Sequence, residues 1–146
     1  MQIGDAPSST RPLLLAAAAA LIDRAGRVLI AQRPAHKQFG GFWEFPGGKV
    51  ERGESPEAAL VRELKEELDL TVEPDALEPF AFASHAYSDF HLLMPLYVIE
   101  RWGGEPVPND AQALAWVRAR ELRDYPMPPA DVGLVQRLIE RDIASC

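Results

Sequence analysis

The stretch Gly47-Gly48-Lys49-Val50-Glu51-Arg52-Gly53-Glu54, continuing through Ser55-Pro56 to Leu60-Val61-Arg62-Glu63-Leu64-Lys65-Glu66-Glu67-Leu68, decides how this chain is read. Serine followed by proline is a helix N-cap with proline at the first helical position, so a helix is predicted from 55 to about 68, stopping near Asp69. On that helix Glu63, Glu66 and Glu67 stand at i, i+3 and i+4 and share an arc of roughly 100°. Leu60, Val61, Leu64 and Leu68 fill a neighbouring arc, the stripe that faces a core. Adjacent carboxylates repel one another unless a cation sits among them. Hard divalent cations such as Mg²⁺ take oxygen ligands of this kind and commonly hold substrate phosphates as well. The competing reading is a solvated face with i,i+4 ion pairs. The glycines that let backbone approach a ligand, and the fixed offset to Glu54, favour the metal site.

Working outward, the chain has 146 residues, which is room for one domain with one core. Hydrophobic residues make up 47% and charged residues 25%, a globular composition that excludes wholesale disorder. The net charge of −7 repels duplex DNA, yet it admits phosphorylated small molecules once metal ions offset their charge. A single cysteine, Cys146, allows neither a disulfide framework nor a Cys/His zinc site, and points to the cytoplasm. The apolar run 13–22 has the look of a signal-peptide core. It is too short to span a bilayer, which takes about 20 residues, so no membrane association is expected. It leads instead through Asp23-Arg24-Ala25-Gly26 into a second apolar segment, 27–33, which reads as a β-hairpin. Residues 1–11 read as a flexible tail and 12–146 as the single domain. Residues 34–54 read as loop with at most a short strand at 42–45. Further strands are expected at 78–83, 92–101 and 113–117. A second helix is expected from 129 to about 143, with Val132, Val135, Leu138 and Ile139 on one side. The fold class is α+β.

Gly48, Glu54 and the run Arg62-Glu63-Leu64-Lys65-Glu66-Glu67-Leu68-Asp69-Leu70 resemble the Nudix box, with one departure. The glycine expected near its end is Asp69, and aspartate tolerates the left-handed conformation that ends the helix better than most residues. The resemblance extends to the MutT-like branch of the Nudix family, over roughly 13–140. It is carried by Leu29-Ile30-Ala31-Gln32-Arg33-Pro34, Gly41-Phe42-Trp43-Glu44-Phe45-Pro46, Glu100-Arg101-Trp102-Gly103-Gly104-Glu105-Pro106 and Asp124-Tyr125-Pro126-Met127-Pro128-Pro129-Ala130-Asp131. It implies an α/β/α sandwich around a mixed sheet. The implied activity is metal-dependent hydrolysis of a nucleoside triphosphate to monophosphate and pyrophosphate, with 8-oxo-dGTP as substrate. Such an enzyme sanitises the nucleotide pool and so avoids mutation. The alternatives are (d)CTP, another Nudix substrate, or a non-catalytic nucleotide-binding module, a class that typically lacks a box glutamate.

By the same resemblance, Glu63 and Glu67 are direct metal ligands, assisted by Glu66 and the Gly47 carbonyl, with Mg²⁺ the expected ion and Mn²⁺ a substitute. Arg62 and Glu54 are structural within the motif. A distal-loop carboxylate falls at Asp110, which shares the catalytic and metal roles. Arg33, Gly48, Lys49 and Asp131 fall among the substrate contacts. Asp131 stands where the branch reads the base, and as a carboxylate it accepts only from donors. Phe82, Tyr87, Phe90 and Trp102 are candidates for stacking on that base, while His85 and His91 read as structural. A monomer or small homo-oligomer is expected.

Overall fold

Strand Leu13–Leu21 (β1) contains five consecutive alanines, a residue with poor strand propensity, and yet it lies at the centre of the molecule. Burial on both faces explains this. In the computed structural model, which describes residues 11–145, Ala17, Ala19 and Leu21 face one core while Ala18, Ala20 and Ile22 face another. Successive side chains of a strand point to opposite sides, and small ones let a helix approach each side closely. Helix Pro56–Leu68 (α1) closes the first core with Leu60, Leu64 and Leu68. Helix Pro129–Ala144 (α2) closes the second with Leu134, Val135, Leu138 and Ile139. The layers are those of the expected α/β/α sandwich. Most of the tail expected at 1–11 lies outside the described residues.

The remaining strands are Arg27–Gln32 (β2), Trp43–Glu44 (β3), Gly47–Lys49 (β4), Glu78–Ala86 (β5), His91–Ile99 (β6) and Ala113–Arg118 (β7), with 3-10 turns at Pro74–Ala76 and Ala119–Asp124. A mixed sheet runs β4-β1-β6-β5, with β1 and β6 parallel and the other neighbours antiparallel. A second, antiparallel sheet runs β3-β2-β7. The hairpin expected from 13–33 is therefore corrected. β1 and β2 share only the bridge Ile22↔Val28 and then enter different sheets, because β1 pairs with β4 and β6 and β2 with β3 and β7. The loop reading of 34–54 also missed β4. Val132 is exposed, and Ala130, Asp131 and Leu134 take its place on the buried side of α2. Among the described residues no helix is long and apolar enough to cross a membrane.

Helix α1 is fixed at both ends by its own sequence. The Ser55 side chain accepts from the Ala58 amide at 3.0 Å. Asp69 adopts φ 60° and ψ 33°, its own amide donates to the Lys65 carbonyl, and the Leu70 amide donates to the Leu64 carbonyl. An aspartate thus closes the helix in the left-handed conformation that glycine adopts more easily.

Candidate active site

β4 carries the two glycines of the box against β1, in the register Ala17↔Gly48 and Ala18↔Gly47. A β-carbon at Gly47 would lie 2.0 Å from the Ala17 carbonyl oxygen, so a side chain there forces the strands apart. One at Gly48 would lie 2.4 Å from the Glu63 carboxyl carbon. Gly48 is therefore the space that lets the Glu63 carboxylate rest against the sheet. The Gly47 amide in turn donates to Glu67 Oε1 at 3.3 Å, so Glu63 and Glu67 of α1 are both seated on β4.

Arg62 organises the approach to the helix. Its Nε and Nη2 donate to the two oxygens of Glu54 at 2.7 and 2.9 Å, a bidentate pair. Nη2 also reaches the Lys49 carbonyl at 3.2 Å, and Nη1 reaches Glu63 at 3.1 Å and Glu66 at 3.4 Å. One guanidinium thus spans the glycine-rich strand, the loop and the helix. Its hydrogen bonds, with help from the Glu51 amide, hold Glu54 down at a pKa of about 2.

Asp110 comes from a loop 43 residues beyond Glu67, and its neighbour explains how it gets there. The Asn109 amide donates to the Glu67 carbonyl at 3.0 Å and its side-chain amide to the Glu66 carbonyl at 3.1 Å, while Val107 N–H meets the Leu68 carbonyl. These are carbonyls of the last helical turn, which have no partner within the helix. Docking there brings Asp110 within electrostatic range of Glu63 and Glu67.

The result is a cluster of mutually repelling carboxyl groups. Burial, then the charge of Glu63, pushes Glu67 up to about 8, with Glu44 and Asp110 adding to it. Burial also raises Glu63, against the pull of Arg62. Among the described residues no three acidic or imidazole groups form a ready-made metal cage. The donor set nevertheless fits a hard divalent cation. Glu63, Glu67 and Asp110 offer only oxygen, and all three line one cavity. Glu66 lies at the rim, its side chain 58% exposed and paired with Arg62.

One cavity of about 490 Å³ opens beside this cluster, and Arg33, Gly47, Gly48, Lys49, Glu63, Glu67, Asp110 and Asp131 all line it. Sites for small ligands have volumes of about 300–1,000 Å³. Glu54, Arg62 and Glu66 stand outside its wall. In its wall Asp131 is only 4% exposed and accepts from the Phe45 amide. Burial, then the charge of Glu44, pushes Asp131 up to about 7, so the fully ionised carboxylate assumed from sequence is only one of its two forms near neutrality. Arg33 Nη1 donates to Glu44 at 2.8 Å and its Nε to the Gln38 carbonyl at 2.8 Å. Of the stacking candidates, Tyr87 and Phe90 line the cavity. Phe82 is exposed on β5, and Trp102 stacks on Trp116 beside the other core.

Three residues escaped the sequence reading. Glu44 reads as one polar position between Trp43 and Phe45 and carries no spacing signal of its own. Asn109 reads as half of a turn pair. Phe39 sits in a loop whose aromatic residues look like surface until the chain folds over Arg33.

Similarity to known proteins agrees with this geometry. Residues 17–137 match the family model described as the NUDIX domain. The chain is 40% identical over 118 residues to the CTP pyrophosphohydrolase of Escherichia coli, covering 81% of this chain and 86% of that one. It is 35% identical over 111 residues to the 8-oxo-dGTP diphosphatase of the same organism, covering 76% and 84%. The solution structure of the E. coli ORF135 protein superimposes with a TM-score of 0.81 at 34% identity, covering 95% of this chain and 97% of that one. With Glu63 and Glu67 of its box lining one cavity, this chain belongs to the Nudix family and is a Nudix hydrolase.

Proposed function

We propose that this chain is a metal-dependent nucleoside triphosphate pyrophosphohydrolase that acts in the cytoplasm on 8-oxo-dGTP, yielding 8-oxo-dGMP and pyrophosphate. The observation that carries the reading is one cavity lined both by the carboxyl groups of Glu63, Glu67 and Asp110 and by the buried Asp131. Nudix hydrolases generally need a divalent metal, and Glu63, Glu67 and Asp110 are the groups that would hold Mg²⁺ or Mn²⁺ here, with Glu66 and the Gly47 carbonyl assisting. When bound, such an ion neutralises phosphate oxygens and makes a nearby water more acidic.

The protein's own contribution is placement. Lys49 and Arg33 offer positive charge to the phosphate chain along the cavity wall. Glu63 or Asp110 takes the proton of the attacking water. The water oxygen bonds to the β-phosphorus and the bond from the β-phosphorus to the α–β bridging oxygen breaks. That oxygen leaves with the nucleoside monophosphate. Arg62 keeps Glu63 oriented throughout, anchored in turn by Glu54.

Base choice rests on Asp131. In its acid form the carboxyl group donates once and accepts once. 8-Oxoguanine offers O6 as acceptor and N7–H as donor on one edge, whereas unoxidised guanine offers two acceptors there. Cytosine offers N3 as acceptor beside its amine, and this carries a second reading, (d)CTP, in line with the relative that bears that name. A competition assay over 8-oxo-dGTP, dGTP, dCTP and CTP, with products identified, tests both. Preference for 8-oxo-dGTP, with Asp131→Ala weakening it more than dCTP, supports the first. Preference for the cytosine nucleotides replaces it with the second, and equal losses in the variant show that Asp131 supports the loop and reads nothing.

A further inference from the structure

Two non-glycine residues among those described have positive φ, Asp69 and Phe39. Asp69 is accounted for by the cap of α1. Phe39, at φ 58°, ends no helix, and a bulky aromatic residue in the left-handed region is an outlier. Its neighbours would meet the needs of the turn without it. Gly41 takes φ 85° beside it, and the Phe42 amide returns to the Phe39 carbonyl through backbone atoms alone. A glycine at position 39 would make the same turn with no strain. What the turn does not need is the ring.

Phe39 lines the cavity. Its ring centroid lies 5.9 Å from Tyr87 and 5.8 Å from Phe42, and Tyr87 is itself fixed by the Ala130 amide donating to its hydroxyl at 3.1 Å, one residue before Asp131. The loop bearing Phe39 is tied down by Arg33, through Gln38 on one side and Glu44 on the other. Strain of this kind persists where the surrounding structure holds it, and it concentrates at ligand sites. We propose that Phe39 is a specificity-determining residue of this site, an aromatic platform that stacks on the nucleobase while Asp131 meets its edge. This rests on the nucleotide reading above. An aromatic wall recognises a planar π-system and is indifferent to phosphate alone.

The test compares the wild type with Phe39→Gly and Phe39→Tyr, using nucleoside triphosphate kinetics, thermal unfolding and product inhibition by inorganic pyrophosphate. Phe39→Gly is expected to raise KM by roughly 5- to 150-fold, the range alanine substitution gives for a lost stacking contact. Its kcat should stay within about threefold and its Tm should be equal or higher, because the left-handed backbone is relieved. Phe39→Tyr should recover KM, and pyrophosphate inhibition should be the same in all three proteins. A residue with a purely structural role predicts the opposite stability result, a lower Tm with no recovery by tyrosine. Unchanged KM in Phe39→Gly overturns the proposal while leaving the nucleotide reading intact. A wild type that hydrolyses no triphosphate overturns both.

Discussion

Replacing Asp131 with asparagine tests whether the cavity wall holds a buried carboxyl group against its own tendency to ionise. The side chain is 4% exposed and its pKa is raised from 3.8 to about 7. At about 1.4 kcal/mol for each tenfold change in proton affinity, the difference is worth about 4 kcal/mol. The sign follows from which state binds the proton. Below about pH 4 both folded and unfolded chains are protonated at this group and nothing is lost. Between about pH 4 and 7 the unfolded chain releases the proton while the folded one keeps it, so stability falls as pH rises, and it levels off above about 7. Asparagine has no such proton and still offers an oxygen to the Phe45 amide. The stability of Asp131→Asn relative to wild type should therefore rise by about 2–3 kcal/mol from pH 5 to pH 8. For a domain of this size that opens a Tm difference of roughly 4–10 °C. Urea and thermal unfolding at four pH values, without added metal, measure it. A difference between the two proteins that is constant across pH would refute the argument that burial strains this carboxyl.

The other expectations concern the carboxylate cluster and the glycines beneath it. Glu63→Gln or Glu67→Gln should lower kcat by at least about a hundredfold, and excess chelator should abolish wild-type turnover, because each removes charge from the metal-facing side of α1. Full activity in chelator would defeat the metal assignment. Asp110 is exposed, so Asp110→Ala should reduce turnover while shifting Tm by no more than about 2 °C, and unchanged kinetics would return it to an ordinary turn. Gly47→Ala and Gly48→Ala should separate. The first collides with backbone at 2.0 Å and should destabilise by several kcal/mol, whereas the second meets the Glu63 carboxylate at 2.4 Å and should lose activity more than stability. Paired melting curves and kcat values decide between the two patterns.

Helix α1 was legible from sequence because every signal it needs is local. Ser55, Pro56 and the leucine stripe specify its start and its buried face, and Asp69 takes the closing conformation. β1 was legible as a strand, though not in its pairing, since pairing depends on which distant segment also needs a buried partner. Strand β4 was hidden because Gly-Gly-Lys carries no hydrophobic alternation. Its pairing is specified by Ala17 and Ala18, which tolerate close backbone contact. Val132 was misplaced by a helix-period count that took no account of Asp131 turning inward, a burial that polarity argues against and that the Phe45 amide makes tolerable. The placement of Asp110 was legible only by analogy. Its physical cause is Asn109, whose side chain finds free carbonyls at the end of a helix that ended about 40 residues earlier in the chain.

Charge ties these pieces together. The cavity gathers Glu63, Glu67, Asp110, Glu44 and Asp131 in a chain whose net charge is already −7, and three of these groups rise in pKa as burial and one another's charge disfavour ionisation, while in Glu44 burial outweighs the pull of Arg33. A naked triphosphate entering here would meet repulsion that Arg33 and Lys49 do not offset, the first being already paired with Glu44. Divalent cations change the balance for protein and ligand together, since the same ion screens carboxylate from carboxylate and carboxylate from phosphate. The acidic composition that excludes duplex DNA is thus compatible with a polyphosphate substrate only when a cation accompanies it. The net charge and the clustered carboxyl groups both favour a cation at this site.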